Sequence, residues 1–197
     1  MAKSTFNIAE LDKTQIQTRN FRELSTGSWN NETISAKNKH LIAVAIAQAT
    51  NCQHCLLHHA KAAQQDGASF DEIAEISYLT GAYNIAGDSL LALDANLYLD
   101  EDKSGISKYY ISPKALTYVN QQLDAIFVAR DIKILALFGI AKYKGNRALA
   151  DHLLTLAHKN GVDENRITEA LLVVDILSSG IVYSNNQDIY QYLYARS

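Results

Sequence analysis

Both cysteines of the chain fall within one short run, Asn51-Cys52-Gln53-His54-Cys55-Leu56-Leu57-His58-His59. Two cysteines three apart can close into a disulfide with only local movement. Hydroperoxide reduction needs such a pair, one thiolate to attack and one thiol to resolve the sulfenic acid. At the start of a helix, Cys52 and Cys55 would lie near unpaired backbone N–H groups and the positive end of the helix dipole, which stabilise thiolate. His59 follows Cys55 by four residues, one turn on and over the same face. A neutral imidazole there can take the thiol proton, a protonated one stabilises the thiolate, and either can serve the proton needs of a departing alkoxide. His54, between the cysteines, is read as tuning the thiolate. His58 is rotated from His59 by about a hundred degrees on a helix and is read as structural.

The same spacing serves metal sites. Cys52, Cys55 and His59 (or His54) could hold zinc with a fourth ligand from His40, His58, His152 or His158, which would make the protein a structural or binding module. A third reading is an inert pair of small buried residues. Covalent haem is excluded, because it needs His directly after the second cysteine and Leu56 stands there.

The rest of the composition narrows the setting. In 197 residues the net charge is −3, and nearly half of the side chains are apolar. No basic block or aromatic-basic stripe points to nucleic acid. The longest apolar stretch, 41–49, is too short to span a bilayer, and the N-terminal residues lack a hydrophobic signal core. The reducing cytosol is the expected compartment, where a C-x-x-C is catalytic or metal-binding more often than structural. One proline and nine glycines leave little turn punctuation for strands, so the expected fold is all-α. A thioredoxin fold would need alternating strands and a later cis-proline loop, which this pattern does not offer. No Gly-rich phosphate loop is present, so no organic cofactor is expected.

The elements that must position the cysteines follow from the apolar pattern. Residues 8–24 read as a short helix or two. Ser35 caps a helix over 36–50 whose middle is apolar on all faces, the mark of a buried helix. A second helix begins at 51 or 52 and stops at Gly67. Ser69-Phe70-Asp71-Glu72 is a capping box opening a third, which runs towards Gly81 and resumes to 96. The same grammar returns downstream, with an apolar core at 135–141, an amphipathic helix over 147–159, a stop at Gly161 and a cap at Asp163. A shift of 94 residues pairs Leu41 with Leu135, His58 with His152, Gly67 with Gly161 and Glu75 with Glu169. This register suggests two tandem pseudo-repeats of one helical unit. The organisation expected is an N-terminal helical segment (1–34), a unit carrying the cysteines (35–99), a polar connector (100–115) and a second unit (116–197). Asn146, Leu149 and Leu153 replace Cys52, Cys55 and His59 in the second unit, so the chemistry stays with the first. The tyrosines at 109, 110, 190, 192 and 194 read as surface or interface packing.

The run from Lys39 to Ala63, an apolar helix followed by Cys52, His54, Cys55 and His59 and an alanine-rich turn, resembles the core of the AhpD-like alkylhydroperoxidases in the carboxymuconolactone decarboxylase superfamily. The resemblance covers about residues 35–80. It implies an all-helical fold, a cytoplasmic protein and a trimer or hexamer. It implies that Cys55 attacks the peroxide, Cys52 resolves, and a lipoyl or thioredoxin-like dithiol protein reduces the disulfide again. Decarboxylases of the founding type do not use this cysteine pair. One position departs from the pattern: His40 stands where the family places a glutamate that orients the motif histidine. Two imidazoles supply no anionic acceptor, so another carboxylate, with Glu32 as the candidate, takes that place or the relay is weakened.

Overall fold

The structure, a computed structural model, describes residues 15–100, 110–185 and 187–194. The early part of the expected opening helix, Tyr109 and most of the expected connector lie outside the described residues. Those described form helices and no strands, in the order α1 (Ile16–Ser25), α2 (Ala36–Ala49), α3 (Gln53–Gln65), α4 (Phe70–Ala86), a 3-10 segment (Gly87–Ala92), α5 (Pro113–Leu123), α6 (Arg130–Tyr143), α7 (Arg147–Lys159), α8 (Glu164–Asn185) and α9 (Gln187–Tyr194).

Local chemistry sets the boundaries. The Ser35 hydroxyl accepts the Asn38 N–H at 3.3 Å and opens α2. Ser69 and Glu72 form the capping box of α4. Ser112 caps α5 and Pro113 takes its first position, where a missing N–H costs nothing, so this helix begins inside the stretch expected to be connector. The expected break at Gly81 does not occur. Gly81 stays within α4, where the helix needs no turn, and the helix ends instead at Gly87, whose φ of 52° is open to glycine.

The core is built around α2 and α6, which are buried on nearly every side. They pack against each other and against α4 and α8. A Cβ on Gly139 of α6 would lie 3.0 Å from Ile46 Cδ1 of α2, so glycine is what lets the two approach closely. Helices α3 and α7 lie on α2 and α6 respectively, α1 packs on α8 and α5 on α4.

Each central helix carries a lysine in its buried run, Lys39 at 1 % exposure and Lys133 at 3 %. An unpaired charge there would be prohibitive. Lys39 Nζ reaches Glu169 of α8 at 3.0 Å, and Lys133 Nζ reaches Glu75 of α4 at 3.5 Å. Both glutamates also take two backbone N–H groups, Glu169 from Thr33 and Ile34, Glu75 from Phe127 and Val128. Burial works to raise the Glu169 carboxyl, but hydrogen bonds from Thr33, Lys39 and Ile34 outweigh it and hold the group below the ordinary carboxylate range. The paired elements fall in one register: α2 and α6, α3 and α7, and α4 and α8 each start 94 residues apart.

Removing one partner of a buried pair leaves the other charge stranded. Lys39→Met should therefore lower stability by roughly 3 kcal/mol or more. Lys39→Met combined with Glu169→Gln, which keeps an acceptor for Thr33 and Ile34, should be less damaging than the single change. Urea unfolding of the three proteins checks this; a double variant no more stable than Lys39→Met would contradict it.

Candidate functional site

Cys52 has two structural duties. Helix α2 ends on Asn51, in the left-handed region at φ 57°, with Asn51 N–H donating to Gln48 O at 3.2 Å and Cys52 N–H to Ala47 O at 3.0 Å. This is the paired closure of a Schellman motif, and asparagine tolerates the φ it requires. Cys52 then serves as N-cap of α3, its sulfur accepting the Cys55 N–H at 3.3 Å. The two ends are one turn, and it fixes both cysteines. Cys52 and Cys55 are joined as a disulfide with Cα atoms 5.3 Å apart.

The thiols differ in access. Cys52 is 1 % exposed and Cys55 6 %, and only Cys55 lines a cleft of ≈ 240 Å³. His54, His58 and His59 line the cleft on the α3 side. Phe21, Ser25 and Trp29 close another side, and Ile176, Leu177, Gly180, Ile181 and Ser184 of α8 face them across it. The Cys55 sulfur lies 3.6 Å from the Ser184 hydroxyl.

Behind the cleft, His59 Nδ1 is 3.1 Å from His40 Nδ1, and His40 Nε2 is 3.5 Å from Asp66 Oδ2. Trp29 stacks on His40 with ring centroids 4.6 Å apart and 6° between planes, and tilts over His59 at 4.8 Å. The bonding order follows from the carboxylate. With the His40 Nε2 proton turned to Asp66, His40 Nδ1 is a lone pair that accepts from His59 Nδ1–H. His59 Nε2 is then the basic nitrogen. Burial, followed by the nearby charges of His58, His40 and His54, lowers the His59 pKa to about 3, so the ring is neutral at physiological pH. It is a base there, and the protonated form considered from the sequence is not the resting one. His40 is also held below the usual histidine value, by burial first, with Asp66 opposing and His58 adding to the shift.

The structure thus brings Cys52, Cys55, His59, His54 and His40 to one place. It corrects two expectations. Glu32 is not the carboxylate of the relay: it pairs with Lys39 at 3.3 Å, drawn there by the buried ammonium, and Asp66 stands at His40 instead. His58 is not apart from the site, since it lines the cleft and meets His59 edge-on at 4.9 Å. Sequence reasoning missed Asp66, Trp29 and Ser184. The one available signal was Asp66 at the C-terminal end of α3, beside the Gly67 stop. Among the described residues, no three His, Cys, Asp or Glu side chains are grouped so as to hold a metal ion. His152, offered as a zinc ligand, instead donates from Nε2 to the Leu93 carbonyl at 3.0 Å, and His158 faces Glu164.

A histidine kept neutral by folding makes stability depend on pH with a fixed sign. Below its unfolded pKa of 6.5 the unfolded chain binds the proton that folded His59 refuses until about pH 3, so stability falls as pH drops through that window. His59→Gln should flatten this loss. Urea midpoints measured from pH 7.5 down to 4.5 should converge for the two proteins as pH falls; parallel curves would contradict the assignment.

Comparison with known proteins places the chain. The sequence profile described as "Carboxymuconolactone decarboxylase family" matches residues 18–95, from α1 through the cleft-forming helices and the 3-10 segment. "Uncharacterized protein 4 in cox locus" of Paracoccus denitrificans is 32 % identical over 80 residues, 38 % of this chain and 72 % of that protein. No solved structure matches significantly. No helix among the described residues is long and apolar enough to cross a membrane. With its all-helical architecture and the cysteine motif seated at the junction of α2 and α3, the chain belongs to the carboxymuconolactone decarboxylase family.

Proposed function

We propose that the protein is a dithiol peroxidase, or disulfide oxidoreductase, that reduces small alkyl hydroperoxides through Cys52 and Cys55. The observation that carries this reading is the asymmetry of the pair: bonded to each other, yet with only Cys55 opening on the cleft, beside a buried neutral imidazole. In the reduced protein His59 Nε2 takes the Cys55 proton. The thiolate attacks the distal peroxide oxygen, the O–O bond breaks, and Cys55 becomes a sulfenic acid while alkoxide leaves. The imidazolium returns its proton to the alkoxide, giving the alcohol. The Cys52 thiol then attacks the Cys55 sulfur, expelling water and forming the disulfide. A dithiol of a lipoyl or thioredoxin-like protein, itself oxidised to a disulfide, restores the thiols. The N-cap position of Cys52 suits that last step, because the Cys55 N–H and the start of α3 favour the thiolate that leaves.

His59, His40 and Asp66 act in series in this reading. Asp66 fixes the His40 tautomer, His40 fixes that of His59, and the imidazolium formed during attack spreads its charge towards the carboxylate. His54 is the exposed histidine at the mouth of the cleft and tunes the thiolate. The two sets of helices related by the 94-residue register are copies of one unit, the second of which serves as scaffold. The protein works in the cytoplasm as a homo-oligomer.

The test is intact-mass spectrometry of the reduced, chelator-treated protein during titration with an alkyl hydroperoxide. Rapid loss of two hydrogens in the wild type is expected, with sulfenic acid trapped in Cys52→Ser and no oxidation in Cys55→Ser. Thiols that stay reduced at excess peroxide would sink the mechanism and favour a zinc-binding or non-catalytic assembly protein on the same fold. His59→Gln should slow disulfide formation by on the order of 10²-fold, the usual worth of a general base. Asp66→Asn, acting through His40, should slow it by roughly tenfold with a changed pH profile. An unchanged rate and profile in Asp66→Asn would remove Asp66 from the relay.

A further inference from the structure

We propose that Ser184 is a catalytic residue of this site, its hydroxyl donating a hydrogen bond to the Cys55 thiolate. The inference rests on the reading of Cys55 as the attacking thiol. A disulfide sulfur carries no proton, so at 3.6 Å between Cys55 Sγ and Ser184 Oγ the hydroxyl is the donor. When the disulfide opens, the same hydroxyl faces a sulfur that has gained negative charge, and charge-assisted bonds are the stronger ones.

Two observations separate this serine from an incidental one. Hydroxyl residues inside helices ordinarily bond to the carbonyl four residues back. Ser77, Thr80, Thr117, Thr155, Thr168 and Ser178 all do so in this protein. Ser184 turns across to α3 instead. The second observation is positional. In the 94-residue register Ser184 corresponds to Leu90, a fully buried side chain of the 3-10 segment, just as Cys55 corresponds to Leu149. The half with leucine at the cysteine position has leucine at the serine position, and the half with the reactive sulfur has a hydroxyl. Packing alone would be served by an apolar side chain at both.

Gly180, one turn earlier on α8, completes the arrangement. A Cβ there would come within 3.2 Å of Phe21 Cζ, so glycine lets α1 close over this stretch of α8 and leaves Ser184 at the cleft wall.

The test uses the Cys52→Ser protein, in which Cys55 is the single thiol, and follows the rate of alkylation by iodoacetamide from pH 5 to 9.5. Adding Ser184→Ala should move the midpoint up by about one pH unit and lower the rate at pH 7 several-fold, the effect of losing one hydrogen bond to a charged group. Adding Ser184→Thr, which keeps the hydroxyl, should leave the midpoint within a few tenths of a unit. An unmoved midpoint in Ser184→Ala would overturn the proposal, and so would equal shifts in Ala and Thr, which would mean packing rather than the hydroxyl. Near-UV circular dichroism of each variant shows that the fold is kept. Because alkylation needs no peroxide, the two readings fail separately. A shifted midpoint in a protein whose Cys55 ignores hydroperoxide would retain Ser184 as thiolate donor and remove the peroxidase.

Discussion

Everything at the cleft depends on how two lysines are neutralised inside the core. Helices α2 and α6 are apolar around nearly their whole circumference and cross where Gly139 meets Ile46. Such helices could slide or rotate against apolar neighbours at little cost. Lys39 and Lys133 remove that freedom, since each must meet one glutamate on the far helix. Glu169 fixes the start of α8 against α2 and the loop before it. Fifteen residues later, about 22 Å along the same helix, Ser184 arrives at Cys55. His40 follows Lys39 in α2, so the ion pair that sets the rotation of α2 also sets the ring that holds His59.

The cysteine turn is rigid for a related reason. One residue, Cys52, closes α2 through its backbone and opens α3 through its sulfur. The thiol that must stay hidden is the one that does structural work, and the thiol that must meet substrate carries none. Around Cys55 the protein supplies uncharged groups: neutral imidazoles, hydroxyls and apolar walls. A thiolate in such a place is held by hydrogen bonds and a helix end rather than by a cation. This favours nucleophilicity over depth of ionisation, since a thiolate stabilised by full charges is a poorer nucleophile.

What the sequence disclosed was what local chemistry determines. The Ser35 cap, the Ser69–Glu72 box, the Gly67 and Gly161 stops and the cysteine turn are each written within a few residues, and the structure has them where the spacing put them. The register linking α2 with α6 and α3 with α7 was visible as matching residues. What failed to show was long-range. Glu32 is nearer than Asp66 to His40 in sequence, but the buried ammonium of Lys39 claims it. Trp29 lies in a loop with no periodicity to mark it. Ser184 lies on another helix, and nothing in a helical wheel distinguishes a serine that bonds its own backbone from one that reaches a sulfur. His58 was misplaced because a rotation of about a hundred degrees moves a side chain off one face of a helix without removing it from a concave wall.

The two halves also show why only one place in this fold can hold chemistry. After α4 the chain breaks at Gly87, and the segment that follows is laid against α7. Asp88 accepts from Asn146 at 2.7 Å, His152 donates to the Leu93 carbonyl, and Leu90 and Leu93 are buried. In the other half α8 does not break. It runs on to Asn185, and its last turns stand beside α3 rather than filling the space against it. The difference lies in the backbone before it lies in the side chains: a glycine at 87, where the corresponding residue is Ile181, turns one segment inward, and a continued helix leaves the other side open. An opening of ≈ 240 Å³ beside a disulfide forgoes packing that the second half retains. That forgone packing is intelligible only if something enters, and the groups left at its wall are those a sulfur nucleophile requires.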